Sequence, residues 1–482
     1  MQFLRTQGRN IIDEDGSIIF LRGTCVGGWL NLEDFINGYP GTATTLKGHM
    51  EKTIGKELSD YFFDKMADYF FTEADIAHMA SLGANVLRIP LNYRDFEDDD
   101  RPFEYKMEGF KRLDEALKWC EKYKIYAILD MHAAAGWQNN HWHCDNERGA
   151  SMLWRHPHFQ DRLVGFWELV AKRYKDNPVV AGYEVLNEPN SGCPDGEHPF
   201  DFYGNYKPDW DRMNALYRRV VAAIRAIDKK HMIFLEGDNY GRYFSGLDAP
   251  MDDNLVYSSH NYVAPGFGPG EYPGYFHSPD GLNYWDINRQ RVELLKHEGM
   301  KYSLKYDVPL LIGEFGSQYN GPADDVPYRL QSMKDQLAVY NENGIHWTTW
   351  TYKDAGVMGW MTLAPDSEYS LIIHHIQEAK RHLGAENFVA IHKPSAGRAK
   401  AFELSEMIRE SSMMPFNLPN DTAYTFNYAA LTGFAAAMLQ PAYAQRFRFM
   451  SKADIDRVLS SFAWDNCVPN VALEKILKVA MS

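Results

Sequence analysis

Two glutamates, Glu188 and Glu314, each stand where an apolar run ends: V-V-A-G-Y-E-V-L-N-E-P over 179–189 and P-L-L-I-G-E-F-G over 309–316. Val179, Val180, Val185 and Leu186 suit a strand buried on both faces, and Pro189, with no N–H to offer a ladder, stops it. Carboxyl groups brought together in this way could hydrolyse an acetal. In the retaining form of that chemistry the pair stands about 5–5.5 Å apart; one attacks the anomeric carbon and the other protonates the departing oxygen. Both cannot ionise cheaply at that distance, so one is expected to keep its proton and serve as the acid. Other polar residues close apolar runs in the same fashion: Arg88, His132, Asn187, Glu236, His260, Tyr262 and Trp350. Arg88 and the Tyr262 hydroxyl could keep Glu314 ionised, Asn187 could bind a sugar 2-hydroxyl, and Trp350 could carry a sugar ring on its face. Glu236 reads as a supporting acid. Taken alone, Asn187-Glu188-Pro189 would fit a solvated loop equally well, so the case rests on where the strands lie.

These residues meet only if their strands run side by side with the same end up. Strand-like runs recur at 20–23, 84–90, 125–132, 179–186, 232–237, 255–260, 309–316 and 345–350. Helical stretches separate them, with apolar residues at 3.6-residue spacing as in Leu163, Phe166, Trp167 and Val170. Strands alternating with helices predict a parallel sheet of the α/β class. Eight such units predict a (β/α)8 barrel, whose reactive groups sit at the carboxyl ends of the strands. A hairpin turning at Gly16, between Ile11-Ile12 and Ile18-Ile19-Phe20, is expected before the first strand. Past Trp360 the alternation fades into helix. Residues 400–409 are read as the helix that closes the barrel, which gives a barrel over 1–410 and a helical appendage packed on it over 411–482.

Composition narrows the partners. The chain has 482 residues, a formal charge of −15, and 14% aromatic residues. An acidic chain without a basic run is unsuited to nucleic acid or anionic membranes, whereas a neutral polyhydroxylated ligand is indifferent to that field. The longest apolar run, 429–439, falls short of the roughly 18 residues that a membrane span needs. Gly27-Gly28 lacks the rest of any phosphate-loop pattern, so no nucleotide cofactor is expected. His141, His143, Cys144 and Asp145 are adjacent, and adjacent residues rarely turn toward one ion. They are read as a loop lining the cleft or packed on the surface, and no metal is expected. The five cysteines, Cys25, Cys120, Cys144, Cys193 and Cys467, have no framework spacing. With no apolar signal at the start, a cytoplasmic location is expected.

The polar residues at the run ends, Arg88, His132, Asn187-Glu188-Pro189, His260-x-Tyr262, Glu314-Phe315-Gly316 and Trp350, occur in an order that resembles glycoside hydrolase family 5, the cellulase-like family of clan A. The resemblance spans roughly 18 to 355. It implies a retaining enzyme with Glu188 as acid/base and Glu314 as nucleophile, and it makes His132 and His260 contacts of the sugar being transferred. The opening R-G-T-C-V-G-G-W-L is similar to the exo-acting β-1,3-glucanase branch. Missing secretion signal, the loop 137–145 and the helical tail depart from that branch. The expectation is therefore a retaining β-glycosidase on β-linked gluco- or manno-oligosaccharides, exo-acting, with long loops walling off one end of the cleft. An endo-acting glucanase or mannanase and a non-catalytic carbohydrate-binding barrel are the rivals. Trp29 and Trp137 fit either a sugar platform or the core.

Overall fold

Eight short parallel strands close on themselves. They are β1 (Arg22–Cys25), β2 (Val86–Asn92), β3 (Tyr126–Ala133), β4 (Val180–Glu184), β5 (Met232–Glu236), β6 (Leu255–His260), β7 (Leu310–Glu314) and β8 (His346–Thr349). Each pairs with the next in chain order, and β8 pairs with β1 through Trp347 and Arg22. The computed structural model describes residues 1–192, 206–278, 281–385, 395–411 and 426–482. The expected (β/α)8 barrel is what the chain forms.

The period of two along a strand explains how one barrel holds both a core and a site. Val86, Ile128, Met232, Phe234 and Val256 pack together inside the lower barrel, with Leu4 and Ile11 of the amino-terminal segment. Two residues further toward the carboxyl ends, the same faces carry Arg88, Asp130, Glu236 and Ser258, and then His132 and His260; all are buried. The alternate residues, such as Leu87, Leu129, Ile233 and Ile312, join the larger core beneath the helices. An apolar floor thus gives way to a polar, water-poor layer within a single strand length.

The helices α1 (Glu73–Leu82), α2 (Gly109–Tyr123), α3 (Pro157–Tyr174), α4 (Trp210–Ile227), α5 (Ile287–Lys296), α6 (Glu298–Tyr306) and α7 (Val326–Glu342) lie between strands. The acidic start of α1 is a capping box: Asp75 accepts from the Thr72 N–H at 2.8 Å, and the helix stops at Gly83, in the left-handed region.

The hairpin expected at Gly16 forms: Ile12 bridges Ile18 antiparallel and the Ile19 N–H donates to the Ile11 carbonyl at 2.8 Å. A further ribbon precedes it, pairing Arg5–Gln7 with Asn10–Ile12 and turning at Gly8. One expectation is corrected: residues 400–409 do not close the barrel. They belong to Ala396–Ser411, which packs on Glu368–Leu383. The closing helix is the last of the chain, α8 (Val471–Met481), seated between α7 and α1. Leu473 and Leu477 are buried there, Asn341 donates to the Ala480 carbonyl at 2.8 Å, and His78 Nε2 meets Glu474 Oε1 at 3.0 Å. Just before it, Cys467–Pro469 pairs antiparallel with Met361–Leu363. Tyr443, Phe447, Ile455 and Phe462 share the barrel's core, so the segment assigned to an appendage is in part the barrel's own wall. Among the described residues, no helix is long and apolar enough to cross a membrane.

Candidate active site

Glu314 is the last residue of β7. Glu188 lies four residues past β4, with a left-handed φ of 47°, uncommon for a residue with a side chain. Backbone contacts hold it there: the Glu188 N–H donates to Glu236 Oε2 at 2.9 Å, and its carbonyl accepts from Asn139 Nδ2 at 2.9 Å. The turn aims the carboxyl into the mouth. Glu188, His260 and Glu314 place one reactive atom each within 4.8 Å of one another. That is the close spacing at which one carboxylate can attack an anomeric carbon while the other serves its leaving group.

Arg88 organises the layer below. It is fully buried, and its guanidinium donates to Glu314 Oε1 at 2.8 Å, to Asn187 Oδ1 at 2.7 Å and to Glu184, with Asp130 Oδ2 at 3.1 Å and Glu236 Oε1 at 3.4 Å. Tyr262 donates its hydroxyl to the other Glu314 oxygen at 3.0 Å. The nucleophile candidate is therefore hydrogen-bonded at both oxygens. One guanidinium cannot neutralise every carboxyl around it. Burial pushes Glu236 up to about 8, with Glu184 adding to the rise, and burial pushes Asp130 up to about 7 despite Arg88. Both keep a proton when the unfolded chain would have lost it. Stability is therefore drained as pH rises from about 4.5 to about 8 through Glu236. Glu236→Gln is expected to flatten that slope in denaturation measured across pH 5 to 8; an unchanged slope would mean that Glu236 is ionised in the fold.

Glu188 has different company. Oε1 accepts from His260 Nδ1 at 2.7 Å, and His143 Nε2 stands 3.1 Å from Oε2. Burial would raise Glu188, but the imidazoles of His143, His260 and His132 outweigh it and hold the carboxyl below its usual range. Burial pulls His143 and His132 down to about 4. It also opposes charge on His260, but Glu236, Glu314 and Glu188 prevail and push that imidazole well above its usual value. Repulsion between the two carboxyls is expected to raise one of them; at Glu188 the neighbouring imidazoles act the other way.

The cellulase profile of glycosyl hydrolase family 5 matches residues 45–356. This chain belongs to glycosyl hydrolase family 5. A β-xylosidase of Phanerodontia chrysosporium is 34% identical over 99% of this chain and 98% of that protein. Endoglucanase C of Acetivibrio thermocellus is 28% identical over 62% of this chain and 90% of its own length. A probable glucan 1,3-beta-glucosidase A of Aspergillus clavatus is 25% identical over 74% and 88%. The chain is accordingly a retaining glycoside hydrolase.

Most of the residues expected at a family 5 site converge here. His132 is held by Asp130 at 2.7 Å, lies 3.2 Å from Glu33 and stacks on Trp350, with ring centres 5.3 Å apart and planes parallel within 1°. Trp350 is 2% exposed and fills the wall beside Gly27, where a methyl group would meet its ring at 2.7 Å. Asn187 gives its oxygen to Arg88, which turns its amide nitrogen toward His132 and the mouth. Glu236 is the supporting acid foreseen.

Two tryptophans fall elsewhere. Trp29 is in the core, tilted against Phe71 with ring centres 5.0 Å apart and donating to the Ala67 carbonyl, because the loop after β1 folds outward over helix Lys56–Phe70. Trp137 donates to the Asp145 carbonyl at 3.0 Å and so ties the two ends of the loop 137–145 together. Buried in this way, Trp29 belongs to the core reading of the two it allowed.

That same loop supplied the residue sequence reasoning passed over. His141 stacks on Tyr240, Cys144 bonds within the loop, Asp145 takes Thr44 and Asn92, and His143 alone reaches Glu188. Four divergent directions leave no common point for an ion. Glu188, His260 and Glu314 are close enough to bind a cation, but the guanidinium of Arg88, 2.8 Å from Glu314, repels one. Cys193 lies outside the described residues.

Proposed function

We propose that this family 5 enzyme is an exo-acting β-glycosidase that releases single sugars, foremost xylose, from the non-reducing end of short β-linked oligosaccharides. The close carboxyl pair, Glu188 and Glu314 with reactive atoms within 4.8 Å, carries the reading. Glu314 attacks the anomeric carbon as the bond to the leaving oxygen breaks, and Glu188 gives that oxygen its proton. Glu188 then takes a proton from water, whose oxygen attacks the same carbon and frees Glu314. Asn187 is placed to bond the 2-hydroxyl, where contacts strengthen in the transition state. Preference for xylose over the gluco- or manno-configured sugars first expected is supported by the relative named β-xylosidase, which aligns along the whole chain, tail included. Exo action is supported by the loop 137–145, which spans from Tyr240 past Glu188 to Asn31, where a through-running groove would have to be open. Four described cysteines without disulfides suit the reducing cytoplasm we also propose.

The decisive experiment is hydrolysis of nitrophenyl β-xyloside, β-glucoside and β-mannoside beside xylo-, cello-, laminari- and manno-oligosaccharides, with chromatography of early products. Release of the monosaccharide from the start supports the reading. Appearance of mid-length products and a rapid fall in polymer viscosity would give the endo reading, which the similarity to Endoglucanase C over the barrel favours. Glu188→Ala is expected to slow oligosaccharide cleavage by about 10²–10⁴-fold, the worth of general acid–base catalysis. Nitrophenyl glycosides need little protonation, so their first step should survive and azide should yield the β-glycosyl azide. Equal losses on both substrate types would remove Glu188 from the acid role.

A further inference from the structure

The loop 137–145 puts a second imidazole on the acid/base. His143 Nε2 stands 3.1 Å from Glu188 Oε2, on the oxygen that His260 leaves open. The N–H points off the N···O line: Nε2 is buried and makes no aligned hydrogen bond. A buried donor left in this state is costly unless some state of the enzyme uses it.

The loop is built to hold that ring in place. Asn31 Nδ2 donates to the His143 carbonyl at 3.0 Å, Trp142 packs edge-on against Phe35, and His141 stacks on Tyr240 with ring centres 4.7 Å apart. Asn139 Nδ2 bonds the Glu188 carbonyl, and Gln138 Nε2 bonds the Asn187 carbonyl, both at 2.9 Å. One loop therefore fixes the backbone of Glu188 and also presents a donor to its side chain.

We propose that His143 is a positioning residue for Glu188, straightening its Nε2–H onto Oε2 when Glu188 is ionised. The inference rests on Glu188 being the acid/base. In the second half of the reaction Glu188 must be a carboxylate that draws a proton from water. With His260 on one oxygen and His143 on the other, the carboxylate plane is fixed toward the attacking water, so the glycosyl-enzyme is broken faster. The groups facing Glu188 are His260 from β6 and Tyr262 just past it, Glu314 from β7, His132 and Asp130 from β3, Glu33 from the loop after β1 and Glu236 from β5; Tyr240 and His141 flank His143. Of these, only His143 meets Oε2.

The test compares His143→Phe, which keeps a ring without the donor, and His143→Gln, which keeps an N–H at similar reach, with wild type. On a nitrophenyl glycoside that wild type turns over, His143→Phe is expected to lower kcat about tenfold, the worth of a hydrogen bond to a charged group, with KM falling in step and kcat/KM unchanged. A pre-steady-state burst of nitrophenol should appear. On an oligosaccharide, the alkaline limb of kcat/KM should move up by about one pH unit, because the ionised form of Glu188 has lost a donor. His143→Gln should restore most of kcat and return the limb. Equal losses in kcat and kcat/KM on every substrate with no shift of the limb would overturn the proposal in favour of packing alone, as would a His143→Phe enzyme indistinguishable from wild type. Wild-type inactivity on all glycosides would strike the proposed function instead, a result separable from either.

Discussion

Glu314→Ala is expected to lower kcat by roughly 10⁴–10⁶-fold, the scale seen when a covalent nucleophile is deleted. The whole first half of the reaction depends on this carboxylate. It is hydrogen-bonded by Arg88 at 2.8 Å and Tyr262 at 3.0 Å, so both oxygens are held and aimed. Alanine leaves the 5% exposed site with room for a small anion, and the surrounding donors remain to receive one. Azide should therefore revive the variant by attacking the anomeric carbon directly. The product is then the α-glycosyl azide, whereas Glu188→Ala is expected to give the β anomer. Proton NMR of the products distinguishes them. Turnover within tenfold of wild type, or a β-azide from Glu314→Ala, would refute the nucleophile assignment.

Arg88→Met is the change with the largest expected effect on the fold. Removing one member of a buried ionic network costs about 3–5 kcal/mol, since the partners lose their donor and the charge that offsets their own. Here Glu184, Asn187 and Glu314 each lose a hydrogen bond, and Asp130 and Glu236 lose a nearby positive charge. The stranded carboxyls would be driven to hold protons. The sign follows from linkage: raising a carboxyl's value in the fold removes stability above its unfolded value of about 4, so the deficit grows from acid toward neutral pH. Denaturant midpoints at pH 4.5 and pH 7.5 read this directly, and the gap to wild type should be wider at pH 7.5. A gap independent of pH would show that Arg88 stabilises by packing rather than charge. Activity should be lost at both values, because Asn187 and Glu314 lose the group that positions them.

Barrel and reactive pair were legible in the sequence for local reasons. A strand buried on both faces is a short apolar run, and a proline or glycine after it marks its end. The polar residue just before that stop must therefore lie at the strand's carboxyl end. Glu188, Glu314 and Arg88 are read in this way, His132 and His260 as the polar ends of apolar runs, and the barrel brings all five to one mouth. Glu236 was placed correctly as a support for the same reason. Its position on the strand was readable, although its contact with the Glu188 N–H was not.

Other features required the folded chain. An amphipathic helix reports that one face is buried without reporting against what, so 400–409 reads as the closing helix and nothing local marks 471–481 for that place. Only packing against α7 and α1 selects the second. Trp29 and Trp137 have the same composition signal as a sugar platform. Their indole N–H groups are nonetheless taken by the Ala67 and Asp145 carbonyls, partners 38 and 8 residues away. His143 carries no local mark at all, since its neighbours His141, Cys144 and Asp145 turn elsewhere. The sequence by itself determined which strands exist and which reactive groups end them, because both depend on neighbours within a few residues. The tertiary structure decided which helix seals the barrel, which aromatics are core and which imidazole meets the acid, because those contacts join residues up to hundreds of positions apart.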